Sequence, residues 1–305
     1  MPIIISHEEV VGNRKVRIES DGCAVALTHF IEGSPGAQSP QAMLVEEAPF
    51  RHLKTHYHTE DEFQIFIQGS GSNGRHKIQS NRVHFARKYT PYGPIIASDE
   101  GCSFLTLRSR TDSGAKFLLN SRSHLESIKN RRPWQISADL HFPETKSGTT
   151  SLSAPVMQDE FGMAVTTTRM LPFSKTMGLD PFDGDGQFMV LVRGSLLYEG
   201  NEYSPISIIF IRPDEEPFFL EAGAFGLDLI TLTLPRQTHL AVIEPGVAIN
   251  DLKTWRCVLC GFIYDESIGI PDEDIPPGTR WEDVPESFGC PDCLANKADF
   301  EMIAI

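Results

Sequence analysis

Short apolar runs, some alternating with polar positions and some continuous, recur between turns through the first 250 residues, the pattern of β-strands. The clearest runs are Phe63–Ile67, Ser103–Leu107, Phe188–Val192, Ile206–Ile211 and Leu227–Leu234. They are rich in β-branched and aromatic residues and are separated by Gly, Pro and Asn turns. The alternation fades around 113–131, where a few helical turns are expected. The pattern also repeats. Glu62-Phe-Gln-Ile-Phe-Ile-Gln-Gly69-Ser70 aligns without gaps on Gln187-Phe-Met-Val-Leu-Val-Arg-Gly194-Ser195. Further on, a loop centred on Pro91 and a strand ending at Leu107 correspond to a loop centred on Pro213 and a strand ending near Leu234. A spacing near 125 residues is too long for a solenoid unit and suits two successive β-barrels.

At 305 residues the chain has room for more than one domain. The expected organisation is mainly β: a first barrel over 1–120, a connector over 121–155, a second barrel over 156–240, a linker over 241–253 and a small domain over 254–305. About 50 residues cannot bury much core, so that last piece needs a staple. The net charge of −14 is unevenly spread, with eleven acids against three bases in 254–305. An acidic surface argues against nucleic acid and suits steering of a basic reductase. The apolar start is too short for a signal peptide and no stretch reaches membrane length, so a cytoplasmic protein with no membrane contact is expected. The basic run Lys129 to Pro133 reads as solvated connector.

Two residue constellations carry chemistry. Cys257-Val-Leu-Cys260 and Cys290-Pro-Asp-Cys293 can bring four thiolates to one metal, and sulfur-only tetrahedral sites take zinc or iron. That leaves Cys23 and Cys102 as buried thiols, in keeping with a reducing compartment. In His56-Tyr-His58-Thr-Glu-Asp-Glu62, residues i and i+2 of a strand share a face, so both imidazoles point one way and Glu62 can swing back after a turn. Two His and one carboxylate leave open positions on a metal, the set associated with non-haem iron(II) oxygen chemistry.

Residues 254–305 closely resemble rubredoxin, a one-iron electron carrier. The pattern runs through C-V-L-C-G, Tyr264-Asp265, Gly269, Pro271, Ile275–Thr279, Trp281, Lys297 and Phe300. Phe288 stands where the family usually has Trp, and Leu294 where it favours Gly. The run from His56 to Gly69 resembles the first cupin motif. The second motif, at Pro91-Tyr-Gly93, has Ile96 where the family has its fourth ligand, with His52, His76 and His84 as conceivable substitutes. In the second barrel, Pro181, Asp183, Gln187 and Phe219 fall at the ligand positions, so metal binding is expected in the first barrel alone.

The resemblance therefore implies a bicupin with a fused rubredoxin. It is similar to the cupin–rubredoxin oxygenases of diazeniumdiolate (fragin-type) natural-product pathways. Implied are Fe(II) at His56, His58 and Glu62, Fe(II/III) at Cys257, Cys260, Cys290 and Cys293, and dioxygen plus a small-molecule substrate. An NAD(P)H-dependent rubredoxin or ferredoxin reductase would supply electrons, and a homodimer is implied at family level only. N-oxygenation or N–N bond formation on a small amine-derived metabolite is the specific expectation. Tyr57, Gln64, Arg75, Arg82 and Tyr92 are substrate-anchor candidates by position. The alternatives are a non-redox cupin isomerase or hydrolase with a structural zinc, a 2-oxoglutarate dioxygenase, and a redox or ligand sensor.

Overall fold

The computed structural model describes residues 1–18, 22–34, 39–128, 131–144, 148–236 and 252–303. Most of the expected linker, 241–251, and Lys129 and Asn130 of the basic run lie outside these residues. Two antiparallel sheets dominate. One has the strand order Gln135–Asp139, Arg82–Ala86, Glu62–Asn73, Ile95–Arg108, Gln41–Glu47, Ala24–Ile31, Lys15–Ile18. The other runs Ile3–Ile5, Ile208–Ile211, Gln187–Tyr198, Phe219–Thr233, Ala164–Met170, Ser151–Gln158. The N-terminal strand thus pairs in the second sheet, and a strand of the connector pairs in the first. The fading alternation after 113 becomes the helix Leu118–Ser127.

Alternation decides what each strand face meets. Phe63, Ile65, Val83, Phe85, Leu105 and Leu107 pack in one buried cluster with Val165, Phe188, Val190, Ile208, Ile230 and Leu232, so the two sheets stack back to back. Each such side chain contributes about 1.5–3 kcal/mol by leaving water. The opposite faces close the two barrels. The second barrel is filled by Met189, Leu191, Ile209, Ile211 and Leu229. In the first, Phe66, Phe104, Cys102, Tyr92 and Ile95 fill one part. Glu62 and Gln64, on the same strand face as Phe66, make the other part polar.

The internal repeat holds at the backbone. Gly69 and Gly194 both have φ +75°, and a Cβ on either would sit 2.1 Å from the Gly101 carbonyl oxygen or 1.9 Å from that of Gly226. Both positions demand glycine for the same close strand crossing. One expected strand is shorter than the pattern suggested: Ile206 has φ +67° and Ser207 donates to the Ser204 carbonyl, so a turn delays the strand to Ile208–Ile211. Cys102 is buried as expected, but Cys23 is only half-buried at a strand start.

The C-terminal module is a three-stranded sheet, Ile263–Asp265, Thr254–Cys257 and Phe300–Ile303, around Trp281. Tyr264, Phe288 and Phe300 rings lie 5.2, 5.6 and 4.6 Å from the Trp281 ring. Phe288 meets the Trp281 ring edge-on. Among the described residues no helix is long and apolar enough to cross a membrane.

Candidate metal centres

Two turns bring four buried sulfurs together: Cys257 Sγ lies 3.8 Å from Cys293 Sγ, and Cys260 Sγ 3.5 Å from Cys290 Sγ. Their ligand atoms all fall within 4.8 Å of one another, which fits a tetrahedral metal. Gly261, at φ +83°, turns the first pair so that the Phe262 amide reaches Cys260 Sγ at 3.4 Å. Sulfur–sulfur hydrogen bonds, that from Cys260 first, hold the Cys257 thiol far below its usual range and push Cys260 up. Leu294, where glycine is usual, adopts φ +60° and is 64% exposed.

His56, His58 and Glu62 are buried at one end of the first barrel. The strand there is only His56–Tyr57, held between Phe117 and Tyr92, and His58 lies just past it. The two imidazole centroids are 5.3 Å apart. His56 Nδ1 bonds the Lys54 carbonyl at 2.8 Å, and Nε2 lies 3.1 Å from the Tyr92 hydroxyl. His58 Nδ1 lies 2.8 Å from Asp112 Oδ2. Fixing one ring nitrogen on an acceptor leaves the other basic, as in metal-ligating histidines. Burial, then the neighbouring His58, lowers the His56 pKa to about 4, so the ring is neutral at pH 7.

Glu62 is differently engaged. Tyr92 donates a short hydrogen bond to Oε1, and Arg108 reaches Oε2 through Nε at 2.9 Å and Nη2 at 2.5 Å. Burial opposes its charge, but His58, Arg108 and Tyr92 together hold the carboxyl below its usual range. Arg108 also donates to Gln41 Oε1 at 2.7 Å. Asp112 accepts from the Thr59 amide and hydroxyl and from the Gly114 amide, at 2.8, 2.7 and 2.6 Å. Burial opposes its charge, but the His58 hydrogen bond and charge, then Arg108 and the Thr59 hydroxyl, hold the carboxyl below its usual range. The imidazoles therefore fit a metal, and the carboxylate fits one when the Arg108 guanidinium gives up Oε2. Among the described residues, the four cysteines are the one group of three or more such donors within 4.8 Å of one another.

Other sequence candidates sort by position. Ile96 is 40% exposed, and buried Ile95 fills the interior instead. His52 is exposed, and His76 sits 3.7 Å from Asp292 of the C-terminal module. His84 is buried opposite Gln64, its ring 5.3 Å from that of Tyr92. His84 Nε2 and Gln64 Oε1 have no protein partner, while Gln64 Nε2 donates to the Tyr92 hydroxyl at 3.1 Å. Of the anchor candidates, Gln64 and Tyr92 thus belong to the centre. Arg82 pairs with Asp139, Arg75 with Asp292, and Tyr57 turns to His124. In the second barrel, Pro181–Asp183 is a short helical turn and Gln187 Nε2 donates to the Thr233 hydroxyl at 3.4 Å.

The C-terminal module is docked against the first barrel. Leu259 and the four cysteines share an apolar cluster with Tyr57 and Leu125, and Leu118 and Tyr89 pack on it. Arg122 pairs with Asp299, and Arg75 lies 2.9 Å from Asp292 and over the Phe262 ring. Arg131 donates to the Leu259 carbonyl at 2.6 Å and to that of Val258. This arginine comes from the run that reads in sequence as solvated connector; the structure makes it a clamp on the first cysteine turn.

The rubredoxin family model matches residues 254–300. Rubredoxin-2 of Pseudomonas aeruginosa is 61% identical over 54 residues, 98% of that protein and 18% of this chain. Rubredoxin-1 of Alcanivorax borkumensis is 61% identical over 54 residues, its whole length. The C-terminal segment belongs to the rubredoxin family. For the rest, a candidate dioxygenase of Nostoc punctiforme superposes with TM-score 0.54 at 11% identity, covering 81% of this chain and 88% of that one. A mutant oxalate decarboxylase of Bacillus subtilis gives 0.52 at 13%, covering 78% of each. A pirin of Escherichia coli, solved with nickel(II), gives 0.51 at 8%, covering 77% of this chain and all of that one. These likenesses show the fold alone, two tandem cupin-like barrels ahead of the rubredoxin domain; the four-cysteine cluster of that domain makes an iron site with an electron-transfer role.

Proposed function

We propose that the first cupin barrel is an oxygen-activating iron centre, held by His56, His58 and Glu62 and supplied with electrons by the fused rubredoxin. The observation that carries this is the docking. The rubredoxin sits on the barrel with the polar interior, against the very segment that bears the two histidines, and Tyr57 between them is part of its apolar cluster. Iron bound there would supply a site at which dioxygen can be reduced, as two imidazoles and one carboxylate leave positions open. Lys54 and Asp112 orient the imidazoles. The Tyr92 hydroxyl, Gln64 and His84 line the interior beside them and are the groups that would orient a small substrate and hold its protons. An amine-derived metabolite undergoing N-oxygenation or N–N bond formation is the substrate class to screen first, on the strength of the family resemblance.

The test is metal content with electron counting. Iron-loaded protein should hold about two irons per chain, and His56→Ala/His58→Ala about one. Dioxygen consumption should require both a reductase and the intact pair. One iron in both proteins, or zinc at the cysteines, would sink the proposal. The Arg108–Glu62 ion pair favours a second reading, a ligand-binding barrel that takes no metal and whose rubredoxin reports redox state. It predicts a single iron per chain and no turnover.

A further inference from the structure

We infer that electrons leave the rubredoxin domain through its first cysteine turn and reach the His56–His58 end of the barrel across Arg131, which makes Arg131 a positioning residue for electron transfer. This rests on the reading of the barrel as an electron-fed metal centre. Val258 and Leu259 lie between the ligands Cys257 and Cys260. The Arg131 guanidinium donates to both their carbonyls and, through Nη1 at 3.3 Å, to the Tyr89 carbonyl. The Tyr89 amide in turn donates to the His58 carbonyl at 2.7 Å. The route therefore runs from the cysteine turn to a barrel histidine over hydrogen bonds and one planar cation. The approach is close as well: a Cβ on Gly261 would stand 2.2 Å from the Pro133 oxygen.

A second contact exists, and it is the longer path. The Arg75 amide donates to the Pro291 carbonyl at 3.1 Å and the Gly74 amide to that of Pro94 at 3.0 Å. From there the chain must still run through Gly93 and Tyr92 before it meets His56. Beside that contact, Cys293 and Leu294 face Lys54, Thr55 and Pro94 across a cleft of about 460 Å³. Electronic coupling falls off faster through space than along bonded and hydrogen-bonded links, so the Arg131 side is favoured. With iron held by the four cysteines and by His56, His58 and Glu62, the exchange would move one electron and no proton, the donor passing from ferrous to ferric as the acceptor passes from ferric to ferrous.

Arg131 also has an electrostatic effect. The ferrous tetrathiolate carries one more negative charge than the ferric form, so a fixed guanidinium nearby favours reduction. Three variants separate charge from bridge. Arg131→Met should shift the one-electron reduction equilibrium at least threefold toward the oxidised form, read from the visible iron–sulfur absorbance in a redox titration. It should also slow reoxidation of the prereduced centre by dioxygen at least tenfold in stopped flow. Arg131→Lys keeps the charge but cannot span the carbonyls, so it should restore the equilibrium and not the rate. Arg122→Met, which removes a docking ion pair on another side of the module, should change the rate by no more than twofold. In the parent, His56→Ala must abolish fast reoxidation; if it does not, the electron-fed barrel and the bridge both fall. If it does, a parental rate in Arg131→Met refutes the bridge alone. Should Arg131→Met lose the iron–sulfur spectrum, a parental rate in Arg131→Lys refutes it.

Discussion

Replacing Arg108 by methionine asks whether Glu62 is a metal ligand. Both partners of the ion pair are buried, with side-chain exposures of 5% and 0%. At the 2.9 Å separation of Nε and Oε2, Coulomb attraction is about 6 kcal/mol at an effective dielectric of 20. Desolvation of both groups offsets much of that, and deleting one partner of a buried pair typically costs about 3–5 kcal/mol because the other charge is stranded. In protein with only the rubredoxin iron loaded, Arg108→Met should lose that amount in urea unfolding. A divalent metal at His56 and His58 would take over the stranded carboxylate. It therefore meets no competitor in the variant, whereas in the parent it must displace the guanidinium. Metal binding at the second site should be at least tenfold tighter in Arg108→Met, equivalent to about 1.4 kcal/mol. With metal at 100 times Kd, about 2.7 kcal/mol of the lost stability should return. The assay pairs urea unfolding with calorimetric titration of Fe(II) or Mn(II), using His56→Ala as the site control. Equal or weaker metal affinity in Arg108→Met would refute the assignment of Glu62 as a ligand and favour the metal-free barrel.

Three further expectations follow from the geometry. Gly69→Ala and Gly194→Ala should each destabilise by about 3 kcal/mol, since both combine positive φ with a backbone clash; a loss under 0.5 kcal/mol in either urea midpoint would mean the two crossings are not equivalent. Cys257→Ser should abolish the iron–sulfur absorbance and expose 254–303 to proteolysis, because a core this small depends on its metal, and limited digestion with mass spectrometry reads the outcome. Burial, with His76 nearby, lowers the His84 pKa from 6.5 to about 3. The unfolded chain then binds the extra proton between those values, so this contribution is full above pH 6.5 and is lost as pH falls toward 3. His84→Asn should flatten the acid limb of the stability profile by up to about 5 kcal/mol, and an unchanged limb would show that His84 is protonated in the folded state.

What could be read in the sequence was short-range. The cysteine pairs, the His56 to Gly69 spacing and the strand that opens at Glu62 each lie within a few residues, where backbone geometry ties spacing to a shared face. The repeat was legible for the same reason: Gly69 and Gly194 keep identical backbone demands even where the side chains at the candidate ligand positions differ. The partners that hold the buried polar groups of the first barrel come from far along the chain. Arg108 reaches Glu62 across 46 positions, Asp112 reaches His58 across 54, and Arg131 reaches Leu259 across 128. No local pattern marks these pairings, because they are set by which strands the sheet places side by side. Ile206 shows the converse, a β-branched residue inside an apolar run that the turn at Ser204–Ser207 forces to positive φ.

The contrast between the barrels then follows from one alternation. Glu62, Gln64 and His84 in the first are matched in register by Gln187, Met189 and Ile209 in the second. The outward faces could not change in the same way, since Phe63, Phe85, Phe188 and Phe210 all pack into the shared core between the sheets. Apolar replacement of an interior polar cluster removes the cost of desolvating it and lets the barrel fill completely, which strengthens a scaffold. The first barrel keeps that cost: His56, His58, Glu62, Arg108 and Asp112 are buried at one end, beside the orphaned His84 nitrogen. A fold retains such groups against its own stability where they are used, and it is against this barrel, on the side of His56 and His58, that the rubredoxin is clamped.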